Sequence, residues 1–356
     1  MLSAVVVLIF VAGFGIQQYL KGGVAKAALM FVSAIIAVAI SFNFYELVGS
    51  FGKGFLGDKA YAAAFALLFM FSMILLSAVL KRLIKETIDM GFWPDRIGGF
   101  VFGAITGLIC AGMFLILLGL IPFGVTKYVY ARFEEPFSNP PRANKALLNA
   151  DGFVSGLFAY MSKAGFAGAS NFAVVNADFT DKLFLNQYFA TIENPSSIHA
   201  LQGVITAEPT AVTKAPEKLR TYVGDDGKTQ LFESVSGKIL YIVTAKINSS
   251  SLEISEQTSA TGIGLGQVRL VTVPKGTTAG TPGVSGEAVY PIGIIDSKGF
   301  LKQTKLDDVI PIEEMEISTG AKLAFYVPVD RDPAVIEIKI NGGDTVRPPV
   351  AAILKQ

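Results

Sequence analysis

The chain has 356 residues and a formal net charge of +1; 51% of its residues are hydrophobic and only 17% are charged. Soluble globular chains carry about 25% charged residues, so this composition favours a membrane protein. The balanced charge and the lack of a dense Lys/Arg cluster argue against nucleic acid as a partner. A single cysteine, Cys110, excludes an intrachain disulfide, and a single histidine, His199, excludes metal sites built from several histidines.

Four apolar segments are long enough to cross a bilayer, which takes about 20 residues. They are residues 2–20, 24–48, 60–80 and 97–121. The first segment lacks a basic stretch before its apolar run and leads directly into the second. We therefore interpret it as a retained helix and not as a cleaved signal peptide. The sequence predicts a membrane domain of four helices over residues 1–121.

Basic residues in the short loops predict the orientation of this domain. The loops after the first and third segments hold Lys21, Lys26, Lys81, Arg82, Lys85 and Arg96, whereas the loop after the second holds only Lys53 and Lys59. Basic loops face the cytoplasm, so the N-terminus and everything after residue 121 are expected outside it. The stretch around Trp93 is open to two interpretations, a short interfacial helix with Trp93 as its aromatic anchor, or a helix end followed by a turn at Pro94.

Three glycines, Gly99, Gly103 and Gly107, recur every four residues in the fourth segment. Such a face either cradles a ligand or lets another helix come close, and packing is favoured because membrane helices associate through small residues. The possible partners are Ala27, Ala34, Ala37 and Ala39 of the second segment, Gly13 and Gly15 of the first, or another protomer. The polar residues Gln17, Gln18, Asn43 and Glu46 are expected near helix ends. With no charged residue at mid-depth, ion-coupled transport is disfavoured.

Two stretches carry a family resemblance, "IQQYLKGGVAKAALMFVSAIIAVAISFNFYEL" and "WPDRIGGFVFGAITGLICAGMFLILL". Lys21, Gly22 and Gly23 precede the second segment, and Asp95 and Arg96 precede the glycine run. In this layout the chain resembles the colicin V production (CvpA) family over about residues 1–121. The resemblance implies a multi-pass protein of the bacterial inner membrane, with the C-terminal part in the periplasm. It also implies a link to colicin V export and to the cell envelope, without fixing a molecular activity.

The remainder of the chain predicts two further regions. Residues 122–200 are expected to form a helical connector on the periplasmic side, either as juxtamembrane helices or as a partner-binding segment, with Asn176 or Asp178 as a cap. Residues 201–356 predict a β-rich domain, an antiparallel sandwich or barrel. Its expected strands fall in residues 201–208, 238–247, 251–257, 265–274, 287–296, 322–329 and 334–341. The stretch Lys275–Glu287 has the composition of a flexible loop.

Three groups of residues outside the membrane segments invite a catalytic or binding interpretation. Gly262, Gly264 and Gly266 precede a strand and not a helix, which argues against a phosphate cradle. His199 has no nucleophile motif around it. The acidic pairs, Asp225 with Asp226, Asp307 with Asp308 and Glu313 with Glu314, lack the spacing of a calcium loop. We therefore predict no catalytic residue, no metal and no cofactor.

The sequence as a whole predicts a non-enzymatic membrane protein that acts as a scaffold or interaction subunit of an envelope or secretion complex. The expected partners are the lipid bilayer and either a protein or a second copy of the chain, with a cell-wall component as a further candidate. The alternative is an oligomeric passive channel or export component, in which the glycine face would assemble or line the pore.

Overall fold

The computed structural model describes residues 2–21, 23–57, 59–83, 91–121, 145–164, 171–183, 211–223, 227–245, 262–306, 308–311, 321–339 and 345–346. The chain divides into two compact units, the first within residues 1–132 and 144–158, and the second within residues 133–143 and 159–356. Each unit is described by itself.

The first unit begins with four long helices. They are α1 (Leu2–Lys21), α2 (Val24–Leu56), α3 (Lys59–Leu83) and α4 (Phe92–Leu120). Within the described residues, these four are long and apolar enough to cross a membrane. The predicted four-helix membrane domain is confirmed, because each helix matches the apolar segment from which it was predicted, α4 ending one residue earlier than predicted.

Helix α2 is longer than its sequence predicted. It has 33 residues and continues through Lys53, which was expected in a loop. It ends at Leu56 and is followed by Gly57, whose φ is 57° and whose N–H bonds to the Lys53 carbonyl. Glycine weakens a helix, but contact with a neighbouring helix outweighs this preference. A Cβ at Gly49 would lie 3.0 Å from the Cα of Tyr61, so α3 packs directly on this part of α2. Glu46 consequently lies ten residues before the helix end.

Pro94 lies inside helix α4 and does not form the turn that was one of the two interpretations of this stretch. It is the third residue of the helix, in the first turn, where a proline removes no hydrogen bond because the first N–H groups have no helical partner. The other interpretation, a short interfacial helix, concerns residues 84–90, which lie outside the described residues.

Small side chains fill part of the core of the first unit, beside large buried ones such as Phe65 and Ile116. Ala27, Ala34 and Ala37 of α2 are fully buried. Buried hydroxyl groups bond to carbonyls of their own helix at 2.8 Å, as in Ser41 to Ala37 and Thr106 to Phe102, so they need no partner in the membrane. Large apolar side chains on α1 and α3 are exposed, among them Leu8, Leu67 and Phe71.

A further helical segment packs on the four helices. A single 3-10 turn, Leu147–Asn149, leads into α5 (Ala150–Ala164). Ala146 and Ala150 are buried against Val7, Ala111 and Leu115. The structure therefore confirms a helix after the four spans, within the region predicted as a helical connector.

The second unit is rich in strands. In chain order they are β1 (Ala211–Lys214), β2 (Arg220–Val223), β3 (Lys228–Leu231), β4 (Lys238–Ala245), β5 (Gly262–Gly264), β6 (Val268–Pro274), β7 (Glu287–Val289), β8 (Pro291–Ile295), β9 (Leu301–Gln303), β10 (Val309–Pro311), β11 (Ala321–Pro328), β12 (Arg331–Lys339) and β13 (Thr345–Val346). Five of the seven predicted strand segments contain strands; the other two, residues 201–208 and 251–257, lie outside the described residues.

The described strands form sheets of seven, four and two strands. Their orders are β1-β4-β11-β8-β9-β2-β3, β13-β12-β6-β7 and β10-β5. The central pair of the large sheet, β4 with β11, runs in register over eight residues. The pairing of β2 with β9 is parallel, whereas the other described pairings are antiparallel. The prediction of a β-rich region is confirmed, with this one departure from a purely antiparallel arrangement.

The stretch Lys275–Glu287, which its composition predicted to be flexible, forms turns that bond to Asn171 and Ala173 of the same unit. Gly286 N–H donates to the Ala173 carbonyl at 3.0 Å and Asn171 N–H donates to the Ala279 carbonyl at 3.1 Å. The short helix α6 (Phe172–Val175) begins here, with the Asn171 side chain accepting from Ala173 N–H. Composition predicted a loop here, and the hydrogen bonds of the loop to distant backbone groups are added by the structure.

Candidate functional site: the α1–α4 seam and the α1–α2 junction

The glycine face of α4 lies against the backbone of α1 of the same chain. A Cβ at Gly103 would fall 2.7 Å from the Phe14 carbonyl oxygen, and one at Gly99 would fall 3.2 Å from the Gln18 carbonyl oxygen. At Gly107 an added Cβ would overlap the Phe10 carbonyl group. All three glycines are buried. Any side chain here would meet main-chain atoms, which cannot rotate away, so the face holds a helix and leaves no groove for a ligand.

The contacts also fix the register of the two helices. Gly99, Gly103 and Gly107 meet Gln18, Phe14 and Phe10 in turn, so each step of four residues up α4 matches a step of four residues down α1. This is the close antiparallel approach that small residues at every fourth position allow. We call this contact the α1–α4 seam.

The alternatives for the helix that fills the glycine face can now be compared with the structure. The alanines Ala27, Ala34, Ala37 and Ala39 are buried on α2, but the backbone that meets the three glycines belongs to α1. Of the glycines on α1, Gly15 lies against the Phe100 ring, whereas no described atom lies within 4 Å of a Cβ placed at Gly13. The contact is therefore made within one chain.

A second cluster joins the ends of three helices, and we call it the α1–α2 junction. The Asp95 carboxylate accepts a hydrogen bond of 2.8 Å from Val24 N–H, at the first residue of α2. The neighbouring Arg96 guanidinium donates to the carbonyls of Tyr19 and, at 3.2 Å, Leu20, at the end of α1. It also lies over the Tyr19 ring, 5.5 Å from the centroid.

The junction satisfies helix ends that would otherwise lack partners. An acidic group at a helix N-terminus and a basic group at a C-terminus each bond to free backbone groups and oppose the helix dipole. Gly23 between the two helices has a φ of 83°, and a Cβ there would lie 2.5 Å from the Asp95 carboxylate, so glycine suits this position. Two adjacent residues of α4 thus cap α1 and α2 together.

The residues predicted as topology or interface anchors lie at the ends of their helices. Lys21 is the last residue of α1 and is exposed, and Lys81 and Arg82 lie in the last turn of α3. Trp93 is 65% exposed and its ring meets that of Phe92 edge-on at 5.6 Å. Lys85 lies outside the described residues. The sequence predicted Arg96 only as a basic residue at the membrane interface. The structure shows in addition that Arg96 caps the end of α1.

Comparison with known proteins bears on this part of the chain. Residues 3–132 match the family model of Colicin V production protein. The matched range contains all four spanning helices, the seam and the junction, and it confirms the resemblance to the CvpA family for about a third of the chain. No curated protein and no solved structure gives a significant match.

A buried ionic network lies in the second unit. Glu337 of β12 is fully buried and accepts from Lys182 at 2.9 Å and from Arg269 of β6 at 2.8 Å. Arg269 also pairs with Asp178, whose other oxygen accepts from the Tyr290 hydroxyl at 2.6 Å. Burial raises the pKa of the Tyr290 hydroxyl, so this group stays protonated and donates. The network ties Asp178 and Lys182 to strands β6 and β12.

The sequence did not predict this network. It predicted only that Asn176 or Asp178 would be a helix cap. The side chain of Asp178 pairs with Arg269, and that of Asn176 accepts from the Lys182 ammonium. The capping side chain in this region is that of Asn171. The only signal available to the sequence was the presence of charged residues in apolar strands, at Arg269 and Glu337.

The other candidate sites carry no geometry for chemistry in the part of the chain that the structure describes. The Gly262–Gly264 strand leads into a 3-10 turn, Leu265–Gln267, and then β6, so no α-helix N-terminus is available for a phosphate. His199 and the pairs Asp225–Asp226 and Glu313–Glu314 lie outside the described residues, as does Asp307. Among the described residues no group of three or more His, Cys, Asp or Glu side chains could hold a metal.

Proposed function

We propose that the chain is a non-enzymatic scaffold or interaction subunit of a complex in the bacterial inner membrane. The observation that carries this proposal is the α1–α4 seam, because the glycine face of α4, which the sequence offered as a possible ligand cradle, is filled by the backbone of the same chain. The bundle is thereby suited to anchoring, and the strand-rich second unit is the part available for binding partners.

The surfaces of the spanning helices support the same proposal. Exposed side chains such as Leu67, Phe71 and Ile74 are large and apolar, as contact with lipid requires and as a water-filled pore does not. The sequence places no charged residue between Lys26 and Glu46 of α2 or between Lys59 and Lys81 of α3. Coupled transport generally uses such a residue at mid-depth.

The proposed orientation places Lys21, Lys26, Lys81 and Arg96 in the cytoplasm and the second unit in the periplasm. A labelling experiment with a membrane-impermeant thiol reagent tests it, in a Cys110→Ser background. Lys53→Cys should react in intact spheroplasts, and Lys85→Cys only after lysis. The reverse pattern would invert the proposed orientation.

Crosslinking of the full chain in native membranes, followed by mass spectrometry, tests the scaffold function. We expect a reproducible set of different proteins crosslinked to lysines of the second unit, such as the exposed Lys228 and Lys302. A Lys228→Gln, Lys302→Gln variant serves as the matched control, because it should lose those crosslinks without losing the protein from the membrane.

The channel alternative makes the opposite prediction for the same sample. If the crosslinks join only copies of this chain, and the purified oligomer conducts ions in planar bilayers, the scaffold proposal is wrong. Crosslinks to other proteins together with an absence of current would support it.

A further inference from the structure

The basic residues at one end of the bundle serve as a depth scale for three helices. Phe42 lies sixteen residues after Lys26 in α2, Phe65 lies sixteen residues before Lys81 in α3, and Gly112 lies sixteen residues after Arg96 in α4. At a rise of 1.5 Å per residue this is about 24 Å in each helix. The hydrocarbon layer is about 30 Å thick, so all three positions lie about 6 Å inside its far edge.

Ring contacts show that the scale is consistent between helices. Phe42 and Phe65, which it places at the same depth, meet edge-on with centroids 5.3 Å apart. Nearer the basic end, Phe31 and Phe102 lie five and six residues from Lys26 and Arg96, and their centroids are 5.7 Å apart. Residues at equal distance from the basic end are therefore neighbours.

Helix α5 contacts the bundle at two of these positions of equal depth. At one end, the carbonyl of Ala150 and the side chain of Val154 press on Gly112. Eight residues along, the Phe158 ring stacks on the Phe42 ring with centroids 4.9 Å apart. The two contact points are about 12 Å apart along α5 and share one depth, so this part of α5 lies nearly parallel to the membrane plane.

The two faces of α5 have different surroundings. Ala150, Val154 and Phe158 are buried on the bundle. The opposite face presents Phe153, which is 38% exposed, then Gly156 and the half-buried Leu157, and it offers no charged side chain at these positions. A helix with one apolar face buried 5–10 Å below the headgroups is typical of interfacial helices.

We infer that α5, from Ala150 to Phe158, is embedded in the leaflet opposite the basic ends of the helices, and that lipid acyl chains cover its outward face. The depth scale indicates that lipid and not water surrounds this face, because water does not reach a surface about 6 Å inside the hydrocarbon layer. The segment is thus part of the membrane domain and not a connector in solution. The inference holds whichever side of the membrane that leaflet faces.

Tryptophan fluorescence tests the inference on the full chain. In a Trp93→Phe background, which removes the single native tryptophan, Phe153→Trp is reconstituted into phosphatidylcholine vesicles. The lipids carry bromine either near the headgroup or near the end of the acyl chains. We expect blue-shifted emission, and a larger loss of intensity with bromine near the headgroup than with bromine at the chain end.

Leu231→Trp is the matched control, because Leu231 in β3 is 58% exposed in the second unit and should respond to an aqueous quencher and not to brominated lipid. Leu147→Trp, just before α5, replaces Phe153→Trp if that variant does not fold. The inference is overturned if the α5 reporter behaves like the control, or if bromine at the chain ends quenches it most.

Discussion

Alanine substitution at the glycines of α4 would test the α1–α4 seam in graded steps. An added methyl group at Gly107 would lie 2.9 Å from both the Phe10 carbonyl carbon and the Val11 Cα. At Gly99 its nearest neighbour would be 3.2 Å away, and at Gly13 on α1 no described atom would lie within 4 Å. The three positions therefore range from severe overlap through tight contact to open space.

The structure sets the size of the effect. Main-chain atoms cannot rotate out of the way, so α1 must move by about 0.5–1 Å to relieve Gly107→Ala, and a gap of that size forfeits a quarter to a half of the dispersion energy along the seam. Overpacking costs about 1–3 kcal/mol. We expect Gly107→Ala to lose this much free energy of unfolding and Gly99→Ala to lose less. Gly13→Ala should be neutral or gain up to about 1 kcal/mol, because alanine is the better helix former.

Denaturant unfolding of the full chain in detergent micelles measures these differences, with helix content from circular dichroism as the signal. If both Gly107→Ala and Gly13→Ala are as stable as the wild type, the reasoning is refuted, because the backbone of α1 then does not lie on Gly107. If both variants lose the same free energy of unfolding, the helices are generally sensitive to alanine, and the reasoning is refuted as well.

Three further predictions concern polar groups. Asp95→Ala should lower the free energy of unfolding by about 1 kcal/mol, because α2 loses its cap. Asp95→Asn should keep most of this stabilisation, because the amide oxygen can still accept from Val24 N–H. Glu337→Gln should cost about 3–5 kcal/mol, because the buried Lys182 ammonium loses its anion and Arg269 keeps only Asp178. Proteolysis of the second unit measures this loss, and wild-type resistance would contradict it. Burial acts to raise the pKa of Asp296, but hydrogen bonds from a tyrosine hydroxyl and two backbone N–H groups outweigh it and lower the pKa overall. That stabilisation is present above the pKa of an unfolded aspartate and is lost as the pH falls through the lowered value. Acid titration of Asp296→Asn should therefore show a weaker loss of stability than wild type, and an identical titration would argue against these hydrogen bonds to the Asp296 carboxylate.

The sequence predicted the membrane domain well because bilayer thickness imposes a length on each apolar segment. It failed at the end of α2, where Gly52 and Gly54 weaken the helix locally while contact with α3 sustains it. A pattern read along one segment contains no information on a partner helix that begins several residues later. The same reason accounts for Pro94, whose place in the first turn of α4 depends on where the helix starts.

The junction and the ionic network show the same limit for side chains. Asp95 and Arg96 were visible as charges beside the fourth span, but their capping partners lie 71 to 77 residues earlier in the chain. Asp178 has the residue type and position of a cap, and only the fold brings Arg269 to it. Periodicity identified the strands; their order in the sheets, and the parallel pairing of β2 with β9, depend on which strands the chain brings together.

The α1–α4 seam implies an unequal distribution of tolerated substitutions between two helices that depend on each other. On α1 the contact is made largely by main-chain carbonyl groups, at Phe10 and Phe14, which any residue supplies. On α4 it is made by the absence of a side chain, which only glycine supplies. A saturation library of the seam should therefore accept many residues at Phe14 and almost none at Gly103 and Gly107. Sequence variation would then reveal the α4 side of the contact and not the carbonyl of Phe14 that faces it.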